Sequence, residues 1–143
     1  MPEPASAGTA VGIYGTNYLY YGLGIQNNAA FISHGAADQL NWIVAYDTVQ
    51  EQAEATWRKP SERLIGTWIG SPQAYDCRFT AWSVIAHDTQ HVESDYAAIN
   101  FQNCQFFGGR IYSLTPTYQF TNCLLDRVDV DLEFQDGATP SFR

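Results

Sequence analysis

Positive charge is scarce in this chain of 143 residues: seven Lys and Arg stand against fifteen Asp and Glu, the formal net charge is -8, and only 15% of residues are charged at all. Nucleic-acid binding rests on clustered Lys and Arg, so a phosphate backbone is a poor partner for this surface. No run approaches the ~20 apolar residues of a membrane-spanning helix. The opening residues, Met1-Pro-Glu-Pro-Ala-Ser-Ala-Gly-Thr-Ala10, contain no Lys or Arg and lead into no continuous apolar stretch, which excludes a secretory signal peptide at that point. A cytoplasmic protein, or a mature chain whose targeting segment lies elsewhere, fits this start. Cysteines number only three, Cys77, Cys104 and Cys123, with no CxxC pair and no zinc-knuckle spacing to histidine. An odd count also argues against a complete disulfide framework. What is abundant is apolar and aromatic surface, 45% and 15% of residues, far more than a disordered chain carries. The length suits one packed domain: residues 1–10 read as a flexible lead-in and 11–143 as the domain.

The clearest internal signal is a repeat. Phe101-Gln-Asn103-Cys104-Gln-Phe106 recurs 19 positions later as Phe120-Thr-Asn122-Cys123-Leu-Leu125. Ala74-Tyr-Asp76-Cys77-Arg-Phe79 reads as a third copy and Ile25-Gln-Asn27-Asn28-Ala29-Ala30-Phe31 as a weaker fourth, with Ala29 to Cys77 taken as two intervals. Seven residues beyond each cysteine stand Val84, Ile111 and Val130. Period-2 alternation such as Val128-Asp-Val130-Asp-Leu132 is the pattern of a strand with one buried face. Strands recurring every ~20 to 27 residues, without ten-residue helical patterns between the last three, exclude a doubly wound sheet and favour a stacked solenoid in which neighbouring turns supply one another's core. The expected interior columns are Cys77-Cys104-Cys123, Phe79-Phe106-Leu125 and Val84-Ile111-Val130. Asp76, Asn103 and Asn122 are expected at a corner, where Asn and Asp accept left-handed backbone.

The hydrophobic-x-Asn-Cys-x-Phe/Leu unit and the segment from Gly109 to Val128 resemble the rungs of right-handed parallel β-helix repeat proteins, many of them large bacterial secreted or surface proteins. The resemblance covers about residues 74–135 well and 11–70 loosely. It implies an all-β, right-handed parallel β-helix (β-solenoid), an extracellular bacterial origin, and membership of a longer chain whose neighbouring rungs would be its partners. Pectate-lyase-like enzymes share that fold, and so do non-catalytic stalks and adhesive modules. The end of the chain, Gly137 to Arg143, reads as a turn into another rung, so the domain is expected to be incomplete.

Elsewhere, Tyr21-Gly-Leu23-Gly-Ile25, Leu40 to Tyr46, Leu64 to Ile69 and Phe79 to Ile85 read as strands. Thr48-Val-Gln-Glu51 has the form of a capping box ahead of helix formers that Pro60 stops, so a short lateral helix is expected near residues 48–58. The cysteines read as small hydrophobes of the interior and not as nucleophiles. His87, Asp88, His91 and Glu93 offer metal-ligand side chains, yet no third ligand has diagnostic spacing, and no metal, cofactor or catalytic residue is assigned. The outward acids of the last strand, Asp129, Asp131 and Glu133, with Asp126 nearby, form the candidate ligand-binding face. At a 19-residue register Arg110 falls beside Asp129 and Tyr112 beside Asp131. Such a face would bind calcium or work on a uronic-acid polymer in an enzyme, and is an ordinary solvated surface in a scaffold. Trp42, Trp57, Trp68, Tyr112 and Tyr118 are candidates for stacking on sugar rings. The expected function is a non-catalytic structural or binding module of a secreted or cell-surface bacterial protein, with polysaccharide or surface components as partners. The alternative is a polysaccharide lyase or glycoside hydrolase of pectate-lyase-like architecture.

Overall fold

The computed structural model describes residues 6–13, 22–26, 28–45, 63–67, 73–84, 90–94, 97–114, 117–133 and 141–142. The helix expected near 48–58, and Trp57, Trp68, His87 and Asp88, lie outside them. Among the described residues fifteen strands follow in order: β1 Ala10–Ile13, β2 Leu23–Ile25, β3 Ala30–His34, β4 Asn41–Ala45, β5 Arg63–Thr67, β6 Gln73–Arg78, β7 Thr80–Ser83, β8 Gln90–Ser94, β9 Ala97–Gln102, β10 Gln105–Phe107, β11 Arg110–Ser113, β12 Tyr118–Thr121, β13 Leu124–Asp126, β14 Asp129–Leu132 and β15 Ser141–Phe142. There is no helix among the described residues. The strands make three five-stranded sheets, ordered β1-β4-β7-β10-β13, β2-β5-β8-β11-β14 and β3-β6-β9-β12-β15. Every strand therefore pairs with the strands three before and three after it, and each of these pairings is parallel.

Alternation in sequence becomes alternation in burial. In Ala97-Ala-Ile99-Asn-Phe101-Gln102 the first, third and fifth residues are buried and those between are not, which is what a strand with one inward face requires. Because the pairing is parallel and in register, inward residues form columns. Ile43, Trp82 and Phe106 make one, with Leu125 in register at its exposed end, Ile65, Val92, Ile111 and Val130 a second, and Cys77, Phe101 and Phe120 a third. Residues of all three sheets merge in one hydrophobic cluster. Each fully buried aliphatic or aromatic side chain there contributes about 1.5–3 kcal/mol.

The columns correct part of the sequence reading. Phe106 over Leu125 and Ile111 over Val130 hold, but Trp82, not Phe79, precedes Phe106, and Val92, not Val84, precedes Ile111. Cys77 pairs with Phe101, so the residue equivalent to Cys104 is Thr80. Asp76 lies within β6 opposite Asn100 and not at a corner. Ala29 to Cys77 spans one interval and not two, since Ala30 already pairs with Ala74.

The corner before β7, β10 and β13 repeats a single solution. Phe79, Asn103 and Asn122 have φ of 48°, 53° and 51°, the left-handed region that Asn enters at little cost and that is strained for the bulky Phe79. The Asn122 Nδ2 donates to Asn103 Oδ1 at 2.6 Å, which makes an amide ladder along the corner. The next residue turns its side chain back onto backbone carbonyls. Thr80 Oγ1 lies 3.0 Å from Arg78 O and 3.2 Å from Ser33 O, Cys104 Sγ 3.3 Å from Cys77 O and 3.4 Å from Gln102 O, and Cys123 Sγ 3.5 Å from both Phe101 O and Thr121 O. Hydroxyl and thiol thus do the same structural work. Asn103→Ala is expected to cost about 1 kcal/mol, while Asn103→Gly costs clearly less because glycine relieves the backbone. Urea denaturation of the two variants checks this, and equal losses would assign the cost to the amide ladder instead.

One further corner depends on glycine. Gly108 has φ of +65°, and a Cβ there would meet Val84 O at 2.4 Å. Its carbonyl accepts from His91, which occupies a bulge: Gln90 pairs with Arg110 and Val92 with Ile111, leaving His91 as the extra residue. The bulge turns both His91 and Val92 into the core, where each is fully buried.

Candidate functional site

Three surface arrangements bring chemistry-bearing side chains together. The first contains the candidate acidic face. The 19-residue register holds there, with Arg110 opposite Asp129 and Tyr112 opposite Asp131. The Arg110 guanidinium hydrogen-bonds Asp131 through Nη2, its Nε is 4.0 Å from Asp129 Oδ2, and its Cζ lies 5.4 Å from the centre of the Tyr112 ring. One cation is thus held between two carboxylates over an aromatic face. Asp129 is well exposed at 70%. Glu133 falls past the end of β14, exposed, its backbone N–H bonded to Ser113 O at 2.9 Å. The inward partners of these acids, Val128 and Leu132, pack against the core as the alternation requires.

The second arrangement, on β3, β6 and β9, escaped sequence reading. Asp76 receives His34 Nε2 at 3.1 Å on one carboxylate oxygen and Asn100 Nδ2 at 3.0 Å on the other, with Arg78 Nε at 3.6 Å. All lie within or close to one row of neighbours on paired strands. Only the register of β3 against β6, across a 44-residue interval from Ala30 to Ala74, would have exposed this cluster.

The third is a groove of about 460 Å³ that runs along the Asn corner. Its walls include Leu40, Phe79, Asn103 and Asn122, and Cys104 and Cys123 open into it. Cys104 is buried and Cys123 only partly so. The Cys123 thiol is lowered to about 7, chiefly by the neighbouring Cys104 side chain, while the same neighbourhood and burial push the Cys104 thiol upward. Cys77 is raised well above the thiol range by burial first and by the neighbouring Asp76 charge second. The interior reading of the cysteines therefore holds for Cys77 and Cys104, while Cys123 packs against the same core but is only partly buried.

The aromatic candidates divide. Trp42 is 39% exposed and stacks on Phe107 with centroids 6.3 Å apart and planes 13° from parallel, an outward platform on the first sheet. Tyr118 is 2% exposed and belongs to the core, because it pairs in register with Ile99. Tyr112 is half-buried under Arg110. Of the suggested metal ligands, His91 is turned into the core onto Gly108, and among the described residues no group of three His, Cys, Asp or Glu side chains is arranged to hold a metal ion. No helix among the described residues is long and apolar enough to cross a membrane. Comparison of the chain with models of known protein families, with curated proteins and with solved structures finds no match.

Proposed function

We propose that this chain is a segment of a right-handed parallel β-helix that serves as a non-catalytic structural or binding module of a secreted or cell-surface bacterial protein. The observation that carries this reading is the unbroken three-strand periodicity of pairing, in which successive strands bury one another's columns and leave the outer faces as a regular display surface. The Asn-Cys units at Asn103 and Asn122 support the kinship to β-helix rungs, and through it the extracellular setting. The outer charges support a scaffold: Arg110 is engaged by Asp129 and Asp131, so the cation that an acid-sugar lyase would aim at its substrate is already neutralised. Polysaccharide or cell-surface components are the expected partners, met by the Trp42–Phe107 platform and the patch of Arg110, Asp129, Asp131 and Glu133.

The test pairs turnover with stability. The chain is incubated with neutral and uronic-acid polysaccharides while new reducing ends and unsaturated products are followed, alongside the double variant Asp129→Ala, Asp131→Ala. No product is expected from either protein, and the variant should unfold within about 1 kcal/mol of the wild type, the range of exposed ion pairs. Product formed by the wild type and abolished in the double variant would replace the scaffold reading with a pectate-lyase-like enzyme.

A further inference from the structure

The groove beside the Asn corner holds two thiols in successive, paired positions. Asn103 N–H donates to Thr121 O and Leu124 N–H to Cys104 O, both at 2.9 Å, so the backbone ladder runs in register straight through Cys104 and Cys123. Adjacent strands lie about 4.8 Å apart, inside the roughly 4.4–6.8 Å between Cα atoms that a disulfide spans. Both side chains line the groove from equivalent positions of neighbouring turns, each held over the backbone carbonyls of its own turn and the turn before. They differ in setting: both line the groove, but Cys123 is half-buried and Cys104 buried. A partly exposed thiol backed by a buried one is the arrangement of an attacking and a resolving cysteine. Cys77, on an interior strand position paired with Phe101, is not part of the groove wall and is left out of this chemistry.

We propose that Cys123 and Cys104 form a redox-active dithiol at this groove, with small organic disulfides as the substrate class. The Cys123 thiolate attacks one sulfur of the disulfide; a Cys123–S bond forms, the S–S bond of the substrate breaks, and one thiolate leaves. Cys104 then loses its proton and attacks the Cys123 sulfur, expelling the second substrate thiolate and closing a Cys104–Cys123 bond. The protein is oxidised by two electrons, the substrate is reduced to two thiols, and the two protein thiol protons end on those products. Reversal by a small dithiol restores the starting state. This chemistry stands on the corner geometry alone and is independent of the scaffold reading above.

The experiment uses the intact, folded chain and dithiodipyridine, a disulfide whose released thiopyridone is coloured. Trypsin cutting after Arg63, Arg78, Arg110 and Arg127 puts Cys77, Cys104 and Cys123 on three separate peptides. The expected result is release of two thiopyridones per chain, with peptides Phe79–Arg110 and Ile111–Arg127 joined and no adduct remaining. Cys104→Ser should stop after one release with the adduct on Cys123, and Cys123→Ser should slow the reaction by roughly tenfold or more. A readout without variants is the pH profile of the wild-type first release, whose midpoint should fall below the ordinary thiol value of about 8.5. A wild-type product carrying the adduct on Cys123 beside a free Cys104, an unslowed Cys123→Ser, or a midpoint at or above the ordinary value would each overturn the assignment.

Discussion

Trp82→Ala is expected to lose about 3–5 kcal/mol, the cost of emptying a large aromatic site in a packed core, and so to remove a large share of a stability that is ordinarily about 5–15 kcal/mol. The size follows from position. Trp82 is fully buried in the column between Ile43 and Phe106. Its ring stacks on Phe106 at 5.9 Å and 14°, meets Phe101 at 6.0 Å and His91 at 6.4 Å edge to face, and lies 5.9 Å from Phe31. These rings come from all three sheets, so the indole is the piece that ties them, and strands held by parallel ladders cannot shift one residue to close the gap without turning every column outward. The indole Nε1 is buried without an acceptor among the described residues, a standing cost of about 1–3 kcal/mol. Trp82→Phe sheds that donor and keeps most of the ring, and should therefore lose much less than Trp82→Ala. Urea denaturation followed by circular dichroism checks both; a Trp82→Ala protein within about 1 kcal/mol of the wild type would mean that the core does not hinge on this column.

The part of this architecture readable from the residues is the part where the interval between paired strands stays constant. Phe106 to Leu125, Ile111 to Val130 and Arg110 to Asp129 are each 19 positions apart, so alternation and spacing alone give the neighbours. One set of strands earlier the interval is 24 from Trp82 to Phe106 but 19 from Val92 to Ile111. The extra residues enter between β7 and β8 and, with His91, in the β8 bulge, and a fixed period fails across them. The Asp76-Cys77 match then misleads for a chemical reason: a thiol is equally at home on an inward strand position, as at Cys77, and at the corner, as at Cys104. The true corner residue, Thr80, makes the same carbonyl contacts with a hydroxyl and shows no cysteine to find. Further upstream the intervals widen to 44 from Ala30 to Ala74 and 32 from Ala10 to Trp42, which erases any period and with it the Asp76–His34 cluster. The candidate acidic face was legible because it lies wholly inside the regular part.

The buried histidine leads to a second large effect, this one set by pH. His91 meets the stacked Trp82 and Phe106 rings edge to face, 6.4 Å and 5.6 Å from their centres, and its Nε2 is 2.6 Å from Gly108 O. A carbonyl can only accept, so Nε2 carries the proton and donates. Nδ1 has no partner among the described residues, and a second proton there would be a charge facing aromatic rings in a dry core. Burial accordingly lowers His91 from 6.5 to about 4, against the smaller opposing pull of the Gly108 carbonyl. The sign follows from which state binds protons first. As pH falls below about 6.5 the unfolded chain protonates this histidine and the folded chain does not, so stability is intact above that point and declines by about 1.4 kcal/mol per pH unit until roughly pH 4. Other groups also titrate in that window, so the variant His91→Gln isolates the effect: its amide can still donate to Gly108 and never charges. The stability difference between wild type and variant, taken from urea midpoints at pH 7 and pH 4.5, should shrink by about 2.5 kcal/mol on acidification. A difference that stays constant between those two pH values would mean that the ring accepts its proton without leaving the core, and that Nδ1 has an acceptor within reach.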